Sequence, residues 1–517
     1  MLRFFTAVAC CVFVCSANVF GGLELPAMFS ESMVLQREQP VKIWGWADAQ
    51  STVVVEMNGQ TSKTQVGDDG RWSVTLSPMM AGGPYELKVT SGVESIAIRD
   101  VLIGEVWLCS GQSNMAMTVT GVENSAEEIG TAELPQIRMF FVKSPHATEP
   151  QLRCEGSWSV CTPSSVPTFS ATAFFFGRRL HQELNVPIGL INSSVGGTSI
   201  ESWTSLEGQK NVHELQPRLE AWQQEDAAYS PDAAKREYER QVIAWEQHRI
   251  EAEGRGEKPR RRPQVAVQPH NNRNYPSNLF NGKIAPLAGY TLRGVIWYQG
   301  ENAAYRGFSH LYQHQLRTLI RDWRTHWADD SLPFAWVQLP EFRAPQQEPS
   351  ETTGWVQVQE GMKKCLTIPH TGMAVTIGLG AADDIHPRNK QEVGYRLAQW
   401  ALSDVYGKTL VAMGPVYQSC ERNGNQMVLT FDFAGEGLQS STPELEGFAI
   451  AGPDRVFHWA KARLDGSKVT VWHDDVPDPQ SVRYAWASNP KHSLRNSAGL
   501  PASPFRTDDW EEKVRQD

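Results

Sequence analysis

Between residues 101 and 406, short apolar runs alternate with helical stretches, and several of the runs stop in an island rich in Gly or polar residues. The runs are 101–108, 188–191, 292–298, 334–339 and 373–377, and the helical stretches are 171–184, 305–327 and 390–406. A strand that is apolar throughout must be covered on both faces. A repeat of strand and helix achieves this by building a parallel sheet between helices. In such sheets chemistry collects beyond the carboxyl ends of the strands, so function is expected in the islands.

The flanks differ in texture. Residues 23–100 carry short alternating segments (41–44, 53–57, 85–89) separated by turns such as Gly67-Asp68-Asp69-Gly70, which predict a small β-sandwich that caps the next domain. From 408 to 517 strands return at 426–433, 468–472 and 482–487, predicting a C-terminal β-rich domain. Residues 207–272 interrupt the middle domain, 101–407, with a charged stretch. Its helical spacing at Leu215, Leu219, Trp222 and at Tyr238, Val242, Trp245, with Ser230-Pro231 between, predicts an inserted helical hairpin. The predicted fold class is therefore α/β: a parallel sheet flanked by helices, framed by sandwich-like β-rich domains and carrying a helical insertion.

Composition narrows the function classes. The chain of 517 residues has 48 basic and 58 acidic side chains, a net charge of −10, which argues against a nucleic-acid partner. Residues 1–17 place Arg3 before an apolar run at 4–14 and then small residues, the pattern of a secretory signal. The run is shorter than the ~20 residues a membrane-spanning helix needs. No later stretch is of spanning length, so an exported, periplasmic or extracellular protein without a membrane span is expected. Of eight cysteines, Cys10, Cys11 and Cys15 fall in the leader; Cys154 and Cys161, flanking Trp158, are the best local disulfide pair. The remaining cysteines form no C-x-x-C repeat, so no zinc site is expected. No pattern fixes an oligomeric state.

Four islands carry chemistry. The run 101–108 ends in Cys109-Ser110-Gly111-Gln112-Ser113-Asn114-Met115, which exposes a serine at a sheet edge. The run 188–191 ends in Asn192-Ser193-Ser194-Val195-Gly196-Gly197-Thr198-Ser199-Ile200-Glu201, and 294–298 leads into Gln299-Gly300-Glu301-Asn302. Asp383-Asp384-Ile385-His386-Pro387 precedes the last helix. Together these are the parts of an acyl-transfer site. A serine hydroxyl needs a base, which His386 can be, and a carboxylate can orient the imidazole. The developing oxyanion needs donors, for which the N–H groups of Ser113 and Gly196 and the Gln299 amide are available.

In order, the strings GQSNM, VGGTSIESW, WYQGEN and DDIHPRNK resemble the SGNH-hydrolase superfamily, and within it the sialate O-acetylesterase family of carbohydrate esterases. The flanking LPAMFSESMVLQREQPVKIWGWA and GLPASPFRTDDW are similar to its bacterial multi-domain members. The resemblance implies Ser113 as nucleophile and His386 as base. It implies Gly196 (or Gly197) and Gln299 in the oxyanion hole, with Gln299 standing where many SGNH enzymes have Asn. The usual Asp-x-x-His spacing selects Asp383 to orient the histidine, with Asp384 as the alternative and the other aspartate as a helix cap. The implied reaction is hydrolysis of O-acetyl groups on sugars through an acetyl-serine, with no cofactor or metal required. The motifs fit sialate and acetylated polysaccharides such as acetylxylan alike. A non-catalytic sugar-binding protein would have little reason to keep Ser, His and Asp together.

Further residues are assigned lesser parts. Asn114, Tyr298, Trp107 and Glu301 are possible substrate-wall residues, with Glu301 alternatively bonding the catalytic loop. Glu201 and Trp203 are expected to anchor the second island. His310 and His314 have the spacing of helical metal ligands but lack the glutamate of a zinc protease, so no metal is expected there. Asn192-Ser193-Ser194 fits a glycosylation pattern, but its position favours turning the backbone.

Overall fold

In a computed structural model, residues 22–511 and 514–515 are described, and the predicted leader at 1–17 lies outside them. The centre is a sheet of seven strands: β1 (Glu94–Gly111), β2 (Leu134–Phe141), β3 (Trp158–Cys161), β4 (Ile188–Ser194), β5 (Gly294–Tyr298), β6 (Phe334–Val337) and β7 (Thr371–Ala374). Their spatial order is β7-β6-β5-β1-β4-β2-β3. Every neighbouring pair is parallel except β2–β3 at the edge. The chain fills one side of β1 first and then the other, so β1 lies at the switch point where α/β sheets open a crevice.

Four helices cover the sheet: α1 (Ala171–Leu184), α2 (Tyr312–Trp327), α3 (Gly354–Lys364) and α4 (Lys390–Trp400), with α1 packed on α4. Ser170, Thr353 and Asn389 cap α1, α3 and α4 by accepting a backbone N–H two or three residues into the helix. The cap of α4 is thus Asn389, not one of the two aspartates.

The N-terminal region is joined to this sheet rather than set beside it. In β1, residues 94–100 alternate toward solvent and 101–111 are buried throughout. The first part pairs antiparallel with Gly82–Ser91 and the second enters the parallel sheet, so residue 101 lies inside one continuous strand. The buried carboxylate of Glu105 reinforces this join by accepting from Gln36 at 3.1 Å and Arg293 at 2.7 Å. The C-terminal region has its own apolar core and two four-stranded sheets.

Within the insertion, Gln216–Ala227 docks through Leu219 and Trp222, while Pro231–Gly254 is exposed or half-buried and buries only Ala252. Among the described residues no helix is long and apolar enough to cross a membrane. Cys109, Cys154, Cys161, Cys365 and Cys420 are free thiols. The expected Cys154–Cys161 disulfide is absent because Cys161 ends β3 with its Sγ turned to Ala132 O at 3.6 Å. Burial pushes the Cys154 thiol up to about 11 and the Cys161 thiol up to about 12, which keeps both protonated.

Candidate active site

Strand register brings three of the four islands together. Gly111 in β1 is level with Ser194 in β4 and Tyr298 in β5, so the next residues of each chain segment emerge side by side. The approach of β1 to β5 requires glycine. Gly111 has φ +138°, and a Cβ there would lie 2.1 Å from Tyr298 O. Gln112 N–H then donates to Tyr298 O at 2.9 Å, and a single helical turn, Ser113–Ala116, begins at the serine.

Ser113 is half-buried, and His386 Nε2 lies 2.8 Å from its Oγ. This is hydrogen-bond distance between a hydroxyl and a base that could take its proton. His386 is held below the ordinary imidazole range by burial; the charge of Asp384 raises it and that of Lys390 lowers it. A depressed pKa keeps the imidazole neutral, the form that can accept a proton.

The carboxylate beside the imidazole is Asp384. Its Oδ1 is 3.8 Å from His386 Nδ1 and accepts the His386 backbone N–H at 2.8 Å. The first distance is a charge contact beyond hydrogen-bond reach, and the second is a local turn that fixes the histidine's backbone. Asp383, which the Asp-x-x-His spacing selects, is exposed.

Gly196 lies against the serine: a Cβ on it would be 3.3 Å from Ser113 Cβ. Gly197 has φ +70°, a conformation that favours glycine. Among the described residues no acceptor takes the N–H of Gly196. Gln299 is fully buried; its Nε2 donates to Thr198 O at 3.1 Å, and its Oε1 and main-chain O both accept from Tyr312 Oη, at 2.9 and 2.6 Å. One amide hydrogen is thus committed to the second island, and Tyr312 fixes the side chain from behind.

The signature described as carbohydrate esterase, sialic acid-specific acetylesterase, matches residues 103–230 and 268–403. The chain belongs to this family. Sialate O-acetylesterase of Mus musculus is 32% identical over 94% of each chain, and that of Homo sapiens 30% over 94% of this chain and 92% of the relative. The solved structure of a carbohydrate acetylesterase from Xanthomonas citri superposes with a TM-score of 0.79 at 35% identity, covering 94% of this chain and 100% of that one. The protein is accordingly a carboxylic ester hydrolase that removes acetyl groups from carbohydrates. The match passes over 231–267, which contains the exposed insertion helix; residues 207–230 fall within it.

In this esterase the expected substrate-wall residues are corrected by burial. Asn114, Tyr298 and Trp107 are 0% exposed and Glu301 2%, so none of them faces the crevice. Two of them, Asn114 and Glu301, form with Lys390 a support beneath the serine and histidine. Asn114 Nδ2 donates to Glu301 Oε1 and, at 3.1 Å, to Ile385 O, while Asn114 Oδ1 accepts from Lys390 Nζ at 2.6 Å. The residue after the serine is thereby tied to the residue before the histidine. Burial pushes Glu301 up, against its bond from Asn114 and the charge of Lys390. Burial pushes Lys390 down to about 7, opposed by the charges of Glu301 and Asp384. Lys390 also sits 5.0 Å over the Tyr298 ring.

Lys390 and Tyr312 were not singled out from the sequence. A signal for Lys390 exists: it lies on the stripe of Val393 and Leu397 in α4, where a lysine is an exception that needs a partner. Glu201 anchors its island by accepting from Arg218 at 3.1 Å, Trp222 at 3.3 Å and Gln315 at 3.3 Å. Trp203, Trp297 and Trp323 pack edge to face at 6.0 and 5.9 Å as core. His310 lies in the turn Ser309–Leu311 and His314 on α2, 3.7 Å from Glu214. Asn192 is buried within β4, closed to modification.

Proposed function

We propose that Ser113 is the nucleophile of a secreted esterase that removes O-acetyl groups from sialic acids, with His386 as its base. The observation that carries this reading is the 2.8 Å contact between His386 Nε2 and Ser113 Oγ. His386 takes the hydroxyl proton as Oγ attacks the acetyl carbonyl. The oxyanion is received by the N–H groups of Ser113 and Gly196, with the fully buried Gln299 bracing the second island behind them through Thr198 O. Collapse breaks the ester bond, and His386 returns the proton to the departing sugar oxygen. Water, deprotonated by the same imidazole, then releases acetate and restores Ser113. Asp384 steadies the imidazolium by its charge.

Sialate as the substrate rests on the names of the mammalian relatives. Export rests on the leader at 1–17. The bacterial multi-domain arrangement rests on likeness to the Xanthomonas structure along 94% of the chain. In that arrangement 23–100 and 408–517 frame a catalytic unit at 101–407. The test is acetate release from O-acetyl sialic acids, acetylxylan and neutral sugar acetates compared side by side. The proposal expects the sialic acids to be turned over with the highest kcat/KM. Preference for acetylxylan would overturn the substrate and leave the esterase.

A further inference from the structure

An acidic sugar needs a cation in the crevice, and the segment returning from the insertion supplies one. Residues 272–277 lie across the second glycine island. Asn274 Oδ1 accepts the Ser199 N–H at 3.0 Å, Ser199 Oγ donates to Asn274 O at 3.1 Å, and Ser277 N–H donates to Glu201 O at 3.0 Å. Asn272 Oδ1 accepts the Asn274 N–H at 2.8 Å, and Asn278 Nδ2 donates to Asn272 O at 2.8 Å, closing the turn. These bonds hold the backbone of Arg273 above the glycines.

The guanidinium extends over Gly197. A Cβ on that glycine would lie 3.7 Å from Arg273 Nη2, and one on Gly196 would lie 3.3 Å from Ser113 Cβ. Arginine, bare backbone and serine therefore stand in sequence around two residues whose Cα atoms are about 3.8 Å apart. Asn302 Nδ2 donates to Gly197 O at 3.4 Å and closes the same wall from the third island. Arg273 is exposed, and among the described residues it makes no ion pair. Arg218, bound to the same island, is by contrast neutralised by Glu201. Water satisfies the exposed Arg273 guanidinium, so its N–H groups are open to a carboxylate that enters beside the serine.

We infer that Arg273 binds the carboxylate of an O-acetylated acidic sugar whose ester lies at Ser113, and so sets the preference for acidic over neutral substrates. A planar guanidinium can present two parallel N–H groups to a carboxylate, a fit that an amide or a neutral hydroxyl does not match. The inference rests on the esterase reading above and extends it to one side chain.

The experiment compares kcat/KM for 9-O-acetyl-N-acetylneuraminic acid and its methyl ester, which keeps the acetyl group and removes the charge. In the unaltered protein the free acid is expected to be favoured about 10- to 100-fold, mostly through KM. Arg273→Gln is expected to bring that ratio close to one, and Arg273→Lys to restore part of it. Damage to folding lowers both rates and leaves the ratio unchanged, so it does not mimic the effect. A ratio that survives Arg273→Gln overturns the inference. So does an unaltered protein that cleaves acid and ester equally, while acetate release from both keeps the esterase reading intact. No acetate from any sugar acetate overturns the esterase reading, and this inference with it.

Discussion

The serine and the histidine of the crevice are held by different means. Ser113 follows a buried strand flanked by two parallel neighbours, and the backbone fixes it: Gly111 against Tyr298, Gln112 N–H on Tyr298 O. His386 stands in an irregular loop between β7 and α4, and separate contacts fix it. Asn114 reaches Ile385 O, Asp384 turns the histidine's own backbone, and Arg343 N–H donates to Ala382 O at 3.1 Å. Farther back, Gly378 N–H donates to Glu341 at 2.9 Å, and Phe342 N–H donates to Ser488 O of the C-terminal region at 2.9 Å. At the strand end many ladder bonds share the load and the one exacting position is Gly111, whereas the loop depends on each side-chain brace. The support of Asn114, Glu301 and Lys390 links the two and is where the difference is best tested.

The largest effect is expected at the loop's reactive group itself. His386→Ala should lower acetate release by about 10³- to 10⁵-fold with little change in thermal unfolding, because the imidazole is half-exposed. The brace comes next. Lys390→Met leaves Asn114 Oδ1 and the Glu301 carboxyl without their cation, and should lower kcat by about 10- to 100-fold and the melting temperature measurably. It also carries a pH signature. The Lys390 charge lowers His386, so its removal should move the acidic limb of the kcat/KM profile to higher pH. A structural defect alone would scale the profile without shifting it.

Asp384→Asn should act in the opposite direction. The amide oxygen still accepts the His386 N–H, but the charge that raises His386 is gone, so the acidic limb moves to lower pH. Both groups are near 40% exposed, at 43% for Asp384 and 39% for His386, and solvent screening limits the rate loss to about tenfold. Asp383→Asn, at an exposed position, should change the rate less than about twofold. A larger loss from Asp383→Asn would reverse this assignment. The smallest effect is expected farthest away. Ile243→Glu with Ile250→Glu alters two side chains that are 64% and 63% exposed on the insertion helix, and should shift stability by less than about 0.5 kcal/mol.

The same contrast explains what could be read from the sequence. The positions of Ser113, Gly196 and Gln299 were legible because continuous apolar runs announce buried strands, and strand ends in register bring their islands together. Helix 171–184 coincides with α1 because its cap and apolar stripe agree. The choice between Asp383 and Asp384 was not legible. Loop curvature decides which carboxylate faces the ring, and neither residue type nor spacing encodes it. Asn114, Glu301 and Tyr298 were placed in the crevice because they adjoin reactive positions. Tyr298 is instead enclosed at the end of β5, and Asn114 and Glu301, each in the first turn of a short helix, are spent on a bond to each other. Strand β2 is not legible because it begins Leu-Pro-Gln and carries Arg138, whose charge is met by Asp100 from β1. The change of texture at 101, which reads as a domain boundary, marks the point where one strand passes from a half-exposed sheet into a sheet buried on both faces.

The central claim is that the Ser113 hydroxyl carries the acetyl group between the sugar and water. Its most direct test is to quench the protein during turnover of an acetylated substrate and locate the acetyl group by peptide mass. Acetylation is expected on the peptide containing Ser113, absent in Ser113→Ala, together with loss of acetate release in that variant. Acetate release by Ser113→Ala at the unaltered rate, or an acetyl group mapped to another side chain, would contradict it.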